Sequence, residues 1–144
     1  MSEAPQGYYF EDLKPGQEAT YVRRITDEDI RAFAAVSGDN NPIHLDEDYA
    51  AGTMFKGRIA HGILAASFIS KVIGMQLPGP GTIYMSQSLN FRAPVRIGDE
   101  VLTTVTVAEL IPEKKRAKLA TRCQVNGNAV LEGEALVKVP SREG

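Results

Sequence analysis

An α+β fold, a curved antiparallel sheet wrapped around one buried helix, is what this chain of 144 residues predicts. Three observations carry that prediction. Helical patterns come early and strand patterns late. The run from Ile63 to Met75 is apolar around most of its circumference and rich in small residues, as a central helix is. After Pro78-Gly79-Pro80-Gly81 everything alternates in the manner of strands, with a hairpin signal at Asn126-Gly127-Asn128. The length suits one domain spanning residues 1–144, and no repeat, low-complexity stretch or linker divides it.

The elements follow in order. Glu18 to Ile25 reads as a first strand. Thr26 reads as an N-cap, with Asp27, Glu28 and Asp29 favouring the positive helix end. Ile30, Phe33, Ala34 and Val36 fall on helical spacing, and Gly38 can close the helix in a left-handed conformation. The density of Asn, Gly and Pro from Ser37 to Asp46 predicts a loop, after which Asp46 caps a short helix through Tyr49 and Ala51. A second loop, Gly52 to Arg58, leads to His61-Gly62 and the central helix. Strands are expected over Thr82 to Arg92, Glu100 to Leu110, Arg116 to Val125 and Val130 to Val139.

Composition excludes several classes. Sixteen basic against eighteen acidic residues give a formal charge of −2, which leaves no basic excess for a nucleic-acid backbone. The single cysteine, Cys123, cannot form an internal disulfide and falls in an alternating stretch, so a buried, inert thiol in a reducing compartment is expected. MSEAPQGYYFEDL has no basic segment followed by an apolar one, and VPSREG carries no lipidation or peroxisomal signal. His61 and Lys71 interrupt the longest apolar segment, Ile59 to Leu77, so no membrane span is expected. A soluble cytoplasmic protein is the resulting expectation. Asp46, Asp48, His44 and His61 suggest a metal cluster, but two histidines and one cysteine, without HExxH or CxxC spacing, argue against a zinc site. There is no GxSxG elbow, and Gly79-x-Gly81 follows a helix, which rejects a dinucleotide loop.

The dense chemical candidate is Asp39 to His44. A carboxylate and an imidazole five positions apart, across a proline-stiffened turn, can converge on one water molecule, one group accepting a proton while the other orients or supplies a second. An Asx-turn at Asp39 and a partly buried loop histidine account for the same residues, and on spacing alone that plainer account is favoured. Gly62 is the second candidate. Its NH lies at a positive helix end and could stabilise an oxyanion, or it could be small only because the helix packs closely on a strand.

Ser37-Gly38-Asp39-Asn40-Asn41-Pro42-Ile43-His44-Leu45-Asp46 resembles the hydratase motif of the MaoC-like dehydratases, especially the (R)-specific enoyl-CoA hydratases. The resemblance continues through Phe55 to Gly62, the helix to Gly74, and Leu89-Asn90-Phe91-Arg92-Ala93-Pro94-Val95-Arg96-Ile97-Gly98-Asp99-Glu100. It implies a single hotdog fold, Asp39 and His44 as the catalytic pair, the Gly62 amide as oxyanion donor, and Ser70 as support for the aspartate, with Ser67 one turn earlier as its competitor. It implies a homodimer binding an enoyl-CoA or 3-hydroxyacyl-CoA near the subunit interface, and reversible hydration to an (R)-3-hydroxyacyl-CoA with no metal or redox cofactor. If the acyl tail runs along the Ser70 face of the helix, Ile73 is expected to floor a shallow pocket for short chains. A thioesterase and a non-catalytic acyl-CoA-binding protein are the rival readings.

Overall fold

The computed structural model describes residues 7–143, so the first six residues of the N-terminal reading, and Gly144 of the C-terminal one, lie outside the described residues. The chain runs β1 (Glu18–Arg24), α1 (Asp27–Ser37), α2 (Pro42–Leu45), α3 (Glu47–Ala51), α4 (Gly62–Met75), β2 (Ile83–Gln87), β3 (Asn90–Phe91), β4 (Glu100–Ile111), β5 (Arg116–Val125) and β6 (Asn128–Lys138). One antiparallel sheet in the order β1-β4-β5-β6-β2 packs one face against α4, which is the hotdog arrangement.

Alternation explains the core. Val101, Thr103, Val105 and Val107 of β4 point to one face and are at most 1 % exposed. They meet Leu119 and Cys123 of β5 and Leu131, Ala135 and Val137 of β6, with Leu64, Ala65, Phe68, Ile69, Val72 and Ile73 of α4 above them. Cys123 lies 3.4 Å from the Thr103 hydroxyl, and burial pushes its thiol pKa up, the environment of an inert cysteine. The turn between β5 and β6 has positive φ at both Asn126 (52°) and Gly127 (80°), as a type I′ hairpin requires. That turn lets β6 begin at Asn128, two residues before its expected start.

Three expectations change. The single strand expected over Thr82 to Arg92 is two short strands, β2 and β3, both pairing with β6. Glu134 both receives from the Ser88 N–H and donates to the Ser88 hydroxyl, while a Cβ at Gly133 would collide with the Ser88 carbonyl. The chain therefore crosses close over Gly133 and leaves the ladder for two residues. The segment expected as an unbroken loop contains α2, a single turn opened by Pro42 and capped by the Asn41 side chain at 3.1 Å from the Ile43 N–H. Proline at a first helical position loses nothing, because its N–H would have had no partner there. Finally, α4 is not covered all round: Ile63 (52 % exposed), Ser67, Ser70 and Lys71 face outward. Among the described residues, no helix is long and apolar enough to cross a membrane.

Candidate active site

The site is assembled from side-chain-to-backbone bonds on either side of α2. Thr26 and Asp29 form the capping box that starts α1, and Gly38, at φ 80°, ends it by returning its N–H to Ala34. The Ser37 hydroxyl donates to the Phe33 carbonyl at 2.7 Å and accepts the Asp39 N–H at 3.1 Å. Asp39 Oδ1 accepts the Asn41 N–H at 3.2 Å, so the Asx-turn does form. Its other oxygen takes no protein hydrogen bond among the described residues, and Asp39 is exposed. The turn of α2 then swings His44 inward, to 8 % exposure.

His44 is held by its far side. Its Nδ1–H donates to the Ile59 carbonyl at 2.8 Å, which in the neutral ring leaves the Nε2 lone pair free. Burial holds its pKa below the ordinary histidine value, and the neighbouring His61 adds to the lowering. The Ile59 bond and the Asp39 carboxylate oppose it. Arg58 is the strut behind this arrangement. Its Nε donates to the His44 carbonyl and its Nη2 to Asp27 Oδ1, each at 2.6 Å, with the guanidinium side chain only 11 % exposed.

His61 completes the cluster. It is 3 % exposed, donates from Nε2 to the Asp39 carbonyl oxygen at 3.0 Å, and stacks on His44 with centroids 3.8 Å apart. Phe33 also packs against it, with ring centroids 4.8 Å apart. Donor atoms of Asp39, His44 and His61 lie within 4.8 Å of one another, so of the four residues weighed as metal ligands the structure brings together the two histidines, with Asp39 in place of Asp46 and Asp48. The ring planes are inclined by only 27°. Lone pairs confined to two stacked, nearly parallel planes do not aim at one point, whereas a shared zinc ion needs them to converge at about 2 Å. Asp46 and Asp48 take no part: Asp46 caps α3 by accepting the Tyr49 N–H.

Gly62 follows His61 directly and opens α4, so its N–H has no partner within the helix. A Cβ there would stand 2.6 Å from Phe91 Cε1, so close packing also requires glycine. Beside it opens a cavity of about 540 Å³, lined among others by Met54, Phe55, Gly62, Phe91 and Leu131. Ile59, whose carbonyl anchors His44, lines it as well.

Two expected site residues stand elsewhere. Ser70 lines a second hollow of about 380 Å³, between α4 and β2, and among the described residues it makes no bond to Asp39. Ser67 turns its hydroxyl back onto the Leu64 carbonyl. Ile73 lines neither cavity: it is 1 % exposed in the core and does not share the outward face of Ser70, because three residues advance a helix by only part of a turn. Sequence reasoning passed over Arg58 and weighed His61 only as a metal ligand, a reading it set aside. The available signal for His61 was its place immediately before the helix-opening glycine; for Arg58, whose partners are 14 and 31 residues away, there was none.

A family model described as MaoC-like domain matches residues 11–130. The chain is 58 % identical to an (R)-specific enoyl-CoA hydratase of Rhodospirillum rubrum, over 94 % of both chains. It is 57 % identical to a 3-hydroxybutyryl-CoA dehydratase of Methylorubrum extorquens, over 94 % of this chain and 86 % of that one. Among solved structures, an R-hydratase from Pseudomonas aeruginosa in its unliganded form superposes with a TM-score of 0.89 at 46 % identity, covering 94 % of this chain and 88 % of the other. An (R)-hydratase from A. caviae involved in PHA biosynthesis gives 0.88 at 46 % identity, covering 90 % and 99 %.

Proposed function

The chain belongs to the MaoC-like family, and from that premise we propose that it is an (R)-specific enoyl-CoA hydratase in which Asp39 and His44 hold the reacting water. The carrying observation is the convergence of that pair with His61 within 4.8 Å, one residue away from the Gly62 amide, which has no partner within α4.

The chemistry follows from the groups present. The thioester carbonyl points at the Gly62 N–H, at the positive end of α4, where negative charge developing on oxygen is stabilised. Water lies between the Asp39 carboxylate and the free Nε2 of His44. Its oxygen bonds to C3, the Asp39–His44 pair takes one proton from it, and one proton is delivered to C2 on the same face. The C2–C3 double bond becomes single and no oxidation state changes overall, so the reaction calls for no redox cofactor. Dehydration reverses each step. The cavity beside Gly62, within the range of small-molecule sites, receives the substrate chain.

A second copy of the chain completes the assembly in this reading. Among the described residues β2 pairs only with β6 and ends the sheet, carrying Ile83, Tyr84 and Met85 at 59 %, 39 % and 42 % exposure, beside the outward Ile63 of α4. An apolar unpaired edge is a liability that pairing with its copy removes. The cytoplasm, where the single thiol stays reduced, is the compartment this reading assigns.

The experiment is loss of the enoyl absorbance of crotonyl-CoA and longer homologues, with product chirality determined. An (R)-3-hydroxyacyl-CoA is expected. Release of free CoA thiol without hydration would replace the reading with a thioesterase, and a stable, fully active monomer in light scattering would remove the dimer.

A further inference from the structure

We infer that His61 is a positioning residue that sets the distance between the Asp39–His44 pair and the Gly62 amide, an inference that rests on the hydratase reading above. His61 occupies the N-cap position of α4, yet its side chain makes no capping bond there. Its Nε2–H instead crosses 22 residues of sequence to the Asp39 carbonyl at 3.0 Å. The ring packs against His44, with centroids 3.8 Å apart, and against Phe33 of α1, at 4.8 Å. One side chain therefore touches both members of the pair, while its own backbone runs directly into the oxyanion donor. Simple space-filling at a site 3 % exposed is met better by an apolar ring. The imidazole leaves Nδ1 buried with no protein partner, a cost that a filler would avoid. What the imidazole adds over an apolar ring is the Nε2–H that ties down the Asp39 main chain.

The groups facing His44 are few. Asp39 approaches from the loop after α1, His61 from the start of α4, and Arg58 through the His44 carbonyl, with Asp27 of α1 behind Arg58. Burial first, and His61 after it, hold the His44 pKa down. Removing the His61 contribution moves the acidic limb of the kcat/KM profile to higher pH.

Two variants test this. In His61→Phe the bulk and the stack remain and the donor is lost. Turnover should fall about 10–100-fold, as for a misplaced catalytic group, with KM within about threefold of the parent. In His61→Gln the side-chain nitrogen can still reach the Asp39 carbonyl. Turnover should stay within about threefold of the parent while the acidic limb moves upward. Parental turnover in folded His61→Phe overturns the inference, as does a change in KM alone. Equal losses in both variants with an unmoved acidic limb overturn it as well, because that is what a packing role gives. If His61→Phe fails to fold, His61→Leu takes its place, and parental turnover in the folded leucine variant is then the overturning result. Asp39→Asn and His44→Ala run alongside separate the failures: if they too retain activity, the hydratase assignment of the pair has failed, not the role of His61.

Discussion

The sheet with its helix and the segment from Gly38 to Gly62 are built by opposite means. In the sheet, stability is spread over many interchangeable apolar contacts, with Val101, Val105, Leu119 and Val137 all fully buried and any one replaceable at moderate cost. In the segment, a handful of hydrogen bonds between side chains and distant backbone carbonyls hold Asp39, His44 and His61 together. The first region tolerates changes of detail and fails by losing stability. The second fails first by losing geometry. Substitutions that separate stability from turnover therefore break or sharpen this contrast.

The largest effect is expected in the segment. Asp39→Asn and His44→Ala should each lower kcat by about 10²–10⁴-fold, the loss typical of a missing general acid or base. Asp39 is exposed, so its isosteric replacement should melt close to the parent temperature. Steady-state kinetics beside thermal melts measure both, and near-parental turnover in either folded variant would break the assignment of the pair.

The mirror experiment is in the core. Ile73→Ala should cost about 2–5 kcal/mol of stability through the cavity it leaves. Since Ile73 lines neither cavity, the ratio of kcat/KM for long and short enoyl-CoAs should not change. Denaturant titration and a chain-length series check the two halves, and a shifted profile in folded protein would return Ile73 to the acyl path. Arg58→Met should fall between the extremes, because Arg58 both supports the site through His44 and ties the segment to Asp27 of α1. Its removal leaves Asp27 with Arg31 alone and frees the His44 carbonyl, at about 1–3 kcal/mol for the lost partnered bonds. Turnover should fall by less than in the catalytic variants, and the two losses should appear together.

The same contrast governs what was legible in the sequence. Alternation and turn chemistry repeat over many positions, so the strands β4, β5 and β6, the Thr26 cap and the left-handed Gly38 could each be placed from residue types alone. The break between β2 and β3 could not, since it arises from the close approach of Ser88 to Gly133, a contact across 45 residues. At the site, the motif from Ser37 to Asp46 pointed to Asp39 and His44, and the structure brings them together. The inward turn of α2 was hidden because Asn41-Pro42 suits a loop and a capped helical turn equally well. Ser70 was expected beside Asp39, and Ile73 on Ser70's face, from helical spacing. Spacing says which residues are near one another on α4 but not which side of it the sheet covers, and the sheet covers Ile73 and leaves Ser70 outside.

The smallest effect is a pH dependence, and it ties the two regions together. Burial lowers the pKa of His44 in the folded protein below the value of about 6.5 it takes when unfolded. The unfolded chain therefore binds this proton more readily than the folded one. Stability from this group is fully present above the unfolded value, and declines as pH falls from there through the folded pKa. Activity should follow the same proton, since only neutral His44 offers the Nε2 lone pair: kcat/KM should hold steady through pH 6.5 and fall on the acid side of it. In His44→Phe the ring volume stays and the titration is gone, so melting temperature should decline less steeply between pH 7 and pH 5 than in the parent. Thermal melts across that range, on both proteins, measure the difference in slope. Identical slopes would mean that His44 titrates alike in both states and that burial does not hold it neutral. An acidic limb of kcat/KM above pH 6.5 would mean that His44 carries the opposite shift, with Asp39 outweighing its burial.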